Sequence, residues 1–434
     1  MVAKKVYLIM PRWPEDSLWG RIGIKFPYLA LTTLAALTPP SVEVRILDEN
    51  VEEIDFQDLP DLAAISLMTP LAPRGYAIAD QFRARGVPVV LGGVHATMLP
   101  EEAKKHAEAV AVGEGELNWP AVLEDFSAGT LKPFYRTDRL MPMQGLARPR
   151  RELLKRGAYL FQNTLQTTRG CPNDCDFCTV TTFYGNTYRF RPVAEVLQEI
   201  ETLKGNLIFF VDDNIIGHKF YAQELFQGLI PLKRRWVSQA TLSLTRDEKL
   251  LSLARKSGCL GLFVGFESLS QEILNNLGKP FYKVSQYETA IRILHDQGIG
   301  IQGSFIFGHD EDPPDAFSRV VRFCDRNRLD AVLFSLLTPF PGTRIFQQLL
   351  REDRILHFNW EKYDMNHVVF QPRQMTPETL ERGFLEAYEK VYGGASLFRR
   401  LFKANRSLML FGPMNLSMRR AWKKISPPRK RSAA

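Results

Sequence analysis

Cysteine is scarce in this chain, five in 434 residues, and that count excludes a fold stapled by disulfides. Long apolar runs are missing as well. A spanning helix needs roughly eighteen uninterrupted apolar residues, and the richest late segment, Leu408 to Met418, is broken by Gly412, Pro413, Asn415 and Ser417. The apolar run Val6 to Met10 is too short for a secretion signal and reads as a first strand. Gly 29 and Pro 27 show no periodic excess, so collagen-like and coiled-coil readings fall away. Acidic residues are absent from Val391 onward, where eleven Lys and Arg stand alone. The overall +8 therefore belongs to the tail, and residues 1–390 carry a net −3. The expected location is the cytoplasm, with the inner membrane surface as an alternative site of peripheral contact.

What is present fits a large soluble α/β protein. The length is about three times the ~150 residues of a usual domain, which predicts two large units and an appendage. Short β-branched runs at Val6–Met10, Val42–Leu47, Ala63–Met68, Val87–Leu91 and Ala109–Val112 alternate with helical patterns such as Tyr28–Leu37 and Pro73–Arg85. That alternation predicts a doubly wound parallel sheet, whose ligands bind beyond the carboxyl ends of the strands. Those ends carry Asp48-Glu49-Asn50, Thr69-Pro70, Gly92-Gly93-Val94-His95 and Gly113-Glu114-Gly115-Glu116. Paired glycines admit a ligand close to the backbone, or simply turn the chain.

Together these loops resemble the cobalamin-binding Rossmann-like domain, which implies Thr69, Pro70, Gly92, Gly93, His95, Gly113 and Glu114 as cobalamin contacts. One departure stands out. Relatives that ligate cobalt from below use an Asp-x-His-x-x-Gly loop, whereas Asp48-Glu49-Asn50-Val51-Glu52-Glu53 has neither the histidine nor the glycine. No axial histidine is expected from this loop. His95 reads either as the one nearby nitrogen candidate or as a loop histidine hydrogen-bonded to backbone.

The strongest signal is Cys171-Pro172-Asn173-Asp174-Cys175-Asp176-Phe177-Cys178, placed after the strand-like Phe161–Thr168. Three thiolates at this spacing can hold three irons of a 4Fe-4S cluster and leave the fourth open. Structural zinc would want a fourth ligand nearby, and the next histidine downstream is His218. The motif is the signature of the radical S-adenosylmethionine (radical SAM) superfamily, with the aromatic Phe177 before the third cysteine. The resemblance implies that AdoMet chelates the open iron and is cleaved to a 5′-deoxyadenosyl radical, with flavodoxin or ferredoxin as the reducing partner.

Downstream, strands at Leu207–Val211, Trp236–Thr241, Gly261–Phe266, Gln302–Phe307 and Ala331–Leu336 predict a partial six-stranded (β/α) barrel. Its strand ends supply Asp212, Asp213 and Asn214, then Glu267 and Ser268, then Ile306, and the resemblance implies AdoMet contacts for these together with Phe177. A DD pair alone also reads as a solvated turn. Thr338-Pro339-Phe340-Pro341-Gly342-Thr343 resembles a turn of the cobalamin-binding branch, and Cys259 and Cys324 read as core thiols. The predicted units are residues 1–135, a linker 136–157, the barrel 158–350 and a helical, basic extension 351–434. That extension includes a helix over Pro377–Val391 capped by Thr376.

The leading expectation is a cobalamin-dependent radical SAM methylase acting on an unactivated carbon of an apolar, lipid-like or isoprenoid-like small molecule. Ring closure, oxidation or carbon–carbon coupling without methyl transfer is the alternative. A methylthiotransferase of RNA is disfavoured because no cysteine precedes Cys171; a non-catalytic iron–sulfur carrier is the third reading. For the tail, a lipid surface, a nucleic acid and a plain solubilising segment compete, with nucleic acid least favoured. The sequence names no general acid or base.

Overall fold

Alternation sorts the first strand's side chains onto two faces. In β1 (Lys5–Met10), Val6, Leu8 and Met10 join a buried cluster with Leu31 and Ala35, whereas Tyr7 and Ile9 join another with Ile78 and Phe82. A strand buried on both faces belongs inside a parallel sheet covered by helices. That sheet is present in the computed structural model, which describes residues 5–137, 139–402 and 408–425. It comprises β1, β2 (Glu43–Asp48), β3 (Leu62–Ser66), β4 (Val89–Gly92), β5 (Ala109–Ala111) and β6 (Phe134–Tyr135), in the order β2-β1-β3-β4-β5-β6 with every pair parallel. Five of these strands match the sequence expectation. The two-residue β6 was too short to leave a periodic signal.

The second parallel sheet begins with β7 (Thr164–Leu165). Next comes an antiparallel ribbon of β8 (Thr168–Gly170) and β9 (Tyr188–Phe190), followed by β10 (Leu207–Phe210), β11 (Arg235–Gln239), β12 (Cys259–Glu267), β13 (Gly300–Phe307) and β14 (Ala331–Leu336). Its order, β14-β13-β12-β11-β10-β7, is that of a partial barrel with β7 and β14 as open edges. The continuous strand expected over Phe161–Thr168 is split into β7 and β8. Asp212 causes the break: its carboxylate accepts from the Thr167 and Thr168 amides and the Thr167 hydroxyl, each at 2.7 Å.

Open edges need partners for their backbone groups. On β14 the helix Pro377–Val391 supplies them: the Tyr388 hydroxyl donates to the Phe334 carbonyl at 2.7 Å and accepts from its amide at 3.0 Å. Thr376 caps that helix by accepting from the Thr379 amide, as its sequence predicts. The last described helix, Leu408–Ile425, presses Leu410 and Phe411 onto Phe161 and Ala331, with the Phe411 ring against Gly261 and Gly300 near the starts of β12 and β13. The N-terminal loop crosses the same region. Leu18 donates to Asn366 Oδ1 at 3.0 Å, Trp19 to the Asp364 carbonyl at 2.9 Å, and Gly23 to Ser417 Oγ at 2.9 Å. Cys259 and Cys324 are buried in the barrel core. Among the described residues no helix is long and apolar enough to cross a membrane.

Candidate active site

The ribbon presents the cysteine loop. Gly170 sits at φ 84°, and a Cβ there would run into the Thr187 carbonyl, so only glycine lets β8 turn into Cys171. Cys175 is buried and Cys171 and Cys178 are half-buried. Burial, and then the neighbouring thiols and carboxylates, push the Cys175 thiol up to about 12 and that of Cys178 up to about 11. Such thiols stay neutral until a cation compensates them. Among the described residues no three His, Cys, Asp or Glu side chains converge as a single ion would require. Three cysteines that each ligate a different iron need no such convergence, so the donor set fits a cluster.

Two strand ends face this loop. Of the adjacent carboxylates after β10, Asp212 is fully buried and engaged by Thr167 and Thr168 at the β7–β8 junction, whereas Asp213 keeps a buried Oδ2 with no hydrogen-bond partner. Burial, and then Asp212, push the Asp213 carboxyl up to about 7. Asn214 Oδ1 is likewise buried and unpartnered, while its carbonyl accepts from the Tyr188 hydroxyl at 2.8 Å. Two bare acceptors beside three thiols form a cradle for an N–H donor. At the end of β12 a register shift puts Glu267 at φ 62°, a left-handed conformation rare for its type. Its carboxylate pairs with Lys279, whose ammonium lies 5.7 Å from the Phe177 ring centre. Ser268 Oγ accepts from the Ser270 amide, and Ile306 is half-buried on β13. Nothing in the sequence pattern singled out Lys279, twelve residues beyond Glu267 in a loop.

Across the loop lies a cavity of about 400 Å³ between the two sheets. The carboxyl ends of the first sheet form one wall through Gly92, Gly93, Gly113 and Glu114; the other includes Arg169 and the helix Thr179–Tyr184, which starts on Cys178. Gly93, at φ 90°, is forced by close packing, because a Cβ would come within 2.7 Å of Leu67 backbone atoms. An ion cluster borders the cavity. Arg169 reaches Glu114 at 2.9 Å and also pairs with Glu116, while Arg189 holds Glu114 at 3.0 Å. Burial would raise the Glu114 carboxyl, but Arg189, the Met141 amide and Arg169 together bring it below its ordinary value.

Three residues expected at this cavity are not part of its wall. Thr69 and Pro70 are buried in a short turn over Thr69–Leu71. His95 is fully buried with Nε2 3.2 Å from Glu102, a carboxylate that also accepts from Tyr76 and from the Trp360 indole at 3.0 Å. Its partner is thus a side chain rather than the backbone expected. The helix after the third cysteine, with Val180, Phe183 and Tyr184 on the wall, was not foreseen, because it lacks a long apolar period.

A model of the radical SAM superfamily matches residues 165–324. Bacteriochlorophyllide d C-12(1)-methyltransferase of Chlorobaculum tepidum is 33% identical over 98% of this chain and 94% of its own length. Bacteriochlorophyllide d C-8(2)-methyltransferase of the same organism is 28% identical over 88% of this chain and 89% of its own. Among solved structures, the radical SAM methyltransferase TsrM from Kitasatospora setae, with cobalamin and a 4Fe-4S cluster bound, superposes with a TM-score of 0.72 at 16% identity, covering 97% of this chain and 99% of its own. The chain belongs to the radical SAM superfamily, within the methyltransferase family of these relatives. It is an enzyme whose superfamily uses a 4Fe-4S cluster and AdoMet, and the reading as a non-catalytic cluster carrier falls.

Proposed function

We propose that this protein is a cobalamin-dependent radical SAM methylase of a large apolar ring system, with a tetrapyrrole side-chain carbon as the favoured acceptor. One observation carries the reading: the glycine-bearing ends of the first sheet and the helix that starts on the third cysteine form opposite walls of one cavity. A group held there by Gly92, Gly93 and Gly113 lies next to whatever Cys171, Cys175 and Cys178 hold. When bound, the reduced cluster cleaves AdoMet to a radical that removes a substrate hydrogen, and methylcobalamin supplies the methyl group.

The chain's own residues supply position and exclusion of water. Asp213 Oδ2 and Asn214 Oδ1 are the acceptors for the N–H donors of the AdoMet amino group, and Asp212 fixes the strand junction beneath them. Glu267 and Lys279 close the loop side as an ion pair. The chemistry of the two bacteriochlorophyllide relatives favours a tetrapyrrole over an isoprenoid.

The test is an anaerobic assay of reconstituted enzyme with cobalamin, AdoMet labelled in its methyl group, bacteriochlorophyllide d, and reduced flavodoxin or ferredoxin. A product carrying one labelled methyl group is expected. Formation of 5′-deoxyadenosine with an unlabelled, ring-closed or oxidised product would replace methylation with the alternative chemistry.

A further inference from the structure

The last two helices carry an outer face that the fold leaves bare. On Leu408–Ile425 the inward residues are Leu410, Phe411 and Asn415, and the exposed ones recur at Met409, Pro413, Leu416 and Arg420. That is the spacing of one stripe along a helix. The stripe is graded: Met409 is 95% exposed and Leu408 53%, and the cations Arg420, Lys423 and Lys424 follow toward the C-terminal end. The preceding helix, Gly394–Leu401, continues the apolar part with Phe398, 63% exposed and stacked on Phe402 with ring centres 4.6 Å apart. A basic tract rich in exposed aromatic and aliphatic side chains is costly to leave in water and has no use for them on a phosphate backbone.

We propose that this face docks the protein on an anionic lipid surface, with Phe398 and Met409 entering the headgroup region and Arg420, Lys423 and Lys424 meeting lipid phosphates. Charge decides the occupant. From Val391 to the end there are eleven cations and no carboxylate, so apposing the same face on a second copy would bring like charges together. Within the described part, Arg399 is already held by Asp325 at 2.6 Å, which leaves the helix end to supply the attraction. Lys403, Arg406 and Arg429 to Arg431 lie outside the described residues and add to the same sign. The other side of Leu408–Ile425 covers the amino-terminal ends of the barrel strands, with Phe411 against Gly261 and Gly300. A docked helix therefore sets the amino-terminal end of the barrel against the lipid and leaves the carboxyl strand ends, which carry Asp213 and Glu267, facing away from it.

Sedimentation of the full-length protein with vesicles tests this. One set is phosphatidylcholine alone, the other phosphatidylcholine with phosphatidylglycerol. The protein is expected to pellet with the anionic set only. Met409→Asp, at a position with nothing to unfold, should lower that binding at least tenfold. Each of Arg420→Gln, Lys423→Gln and Lys424→Gln should lower it about fivefold, corresponding to about 1 kcal/mol per cation. Absence of pelleting, equal pelleting with both sets, or a dimer that Met409→Asp converts to monomer would overturn the proposal. Displacement of the protein from anionic vesicles by duplex RNA at equal phosphate would also overturn it, in favour of a nucleic acid partner.

Discussion

Two neighbouring carboxylates do opposite work in this protein, and substitutions should separate them. Asp212 is saturated by three hydrogen bonds from Thr167 and Thr168, at the junction of β7 and β8. Hydrogen bonds to a buried charge are worth about 1.5–3 kcal/mol each, so Asp212→Ala should cost at least about 3 kcal/mol in denaturant unfolding. Asp213 contributes no such pin. Asp213→Asn should leave the absorbance of the cluster unchanged and weaken AdoMet binding at least tenfold by calorimetry. The pH dependence follows from the sign of its shift. A carboxyl raised from 3.8 to about 7 stabilises the AdoMet-free fold fully below pH 3.8 and loses that contribution as pH rises through 7. On the proposed role the ionised carboxylate is the AdoMet acceptor, so affinity should rise across pH 6 to 8 in the native chain and stay flat in Asp213→Asn. The role of Asp212 was not legible in sequence, because it depends on where β7 breaks from β8. The cysteine triad was, because its spacing is local.

At the scale of elements, the ribbon β8–β9 is the joint between the sheets. Arg169 on one strand and Arg189 on the other converge on Glu114 from the loop after β5 of the first sheet. Removing a carboxylate from a buried ion cluster strands its cations, at about 3–5 kcal/mol. Glu114→Gln should therefore lower stability by that order and reduce cobalamin uptake while the cysteines still assemble their cluster. Gly93→Ala should cause a similar loss of uptake, since the added methyl group meets Leu67 backbone. The β-branched runs made eleven of the fourteen strands legible, counting the split one as β7. The ribbon was hidden because its three-residue strands carry Arg and Tyr in place of an apolar alternation. His95 misled for a related reason: a loop histidine beside two glycines looks like a ligand until the distant Glu102 and Trp360 are folded against it.

For the whole molecule, the cavity wall bears on the state of bound cobalamin. Its lining contains no His, Cys or Met. The EPR spectrum of the reconstituted cob(II)alamin form should accordingly lack the superhyperfine splitting of a protein nitrogen below the cobalt; its presence would contradict this assignment of the cavity.

The ties between the N-terminal loop and the far end of the chain have a consequence for the order of assembly. Leu18, Trp19 and Gly23 find their partners 345 to 394 residues later. At about 5–20 residues per second on the ribosome, those partners emerge on the order of twenty to eighty seconds afterwards. Both sheets have all their strands by Leu336 and can form while the loop is still unclasped. Translation thus finishes the scaffold before the clasp, and Phe411, which packs on Gly261 and Gly300 of β12 and β13, emerges after every strand of both sheets. A chain cut short after its second sheet would hold its cysteines in place with the amino-terminal end of the barrel still open to water.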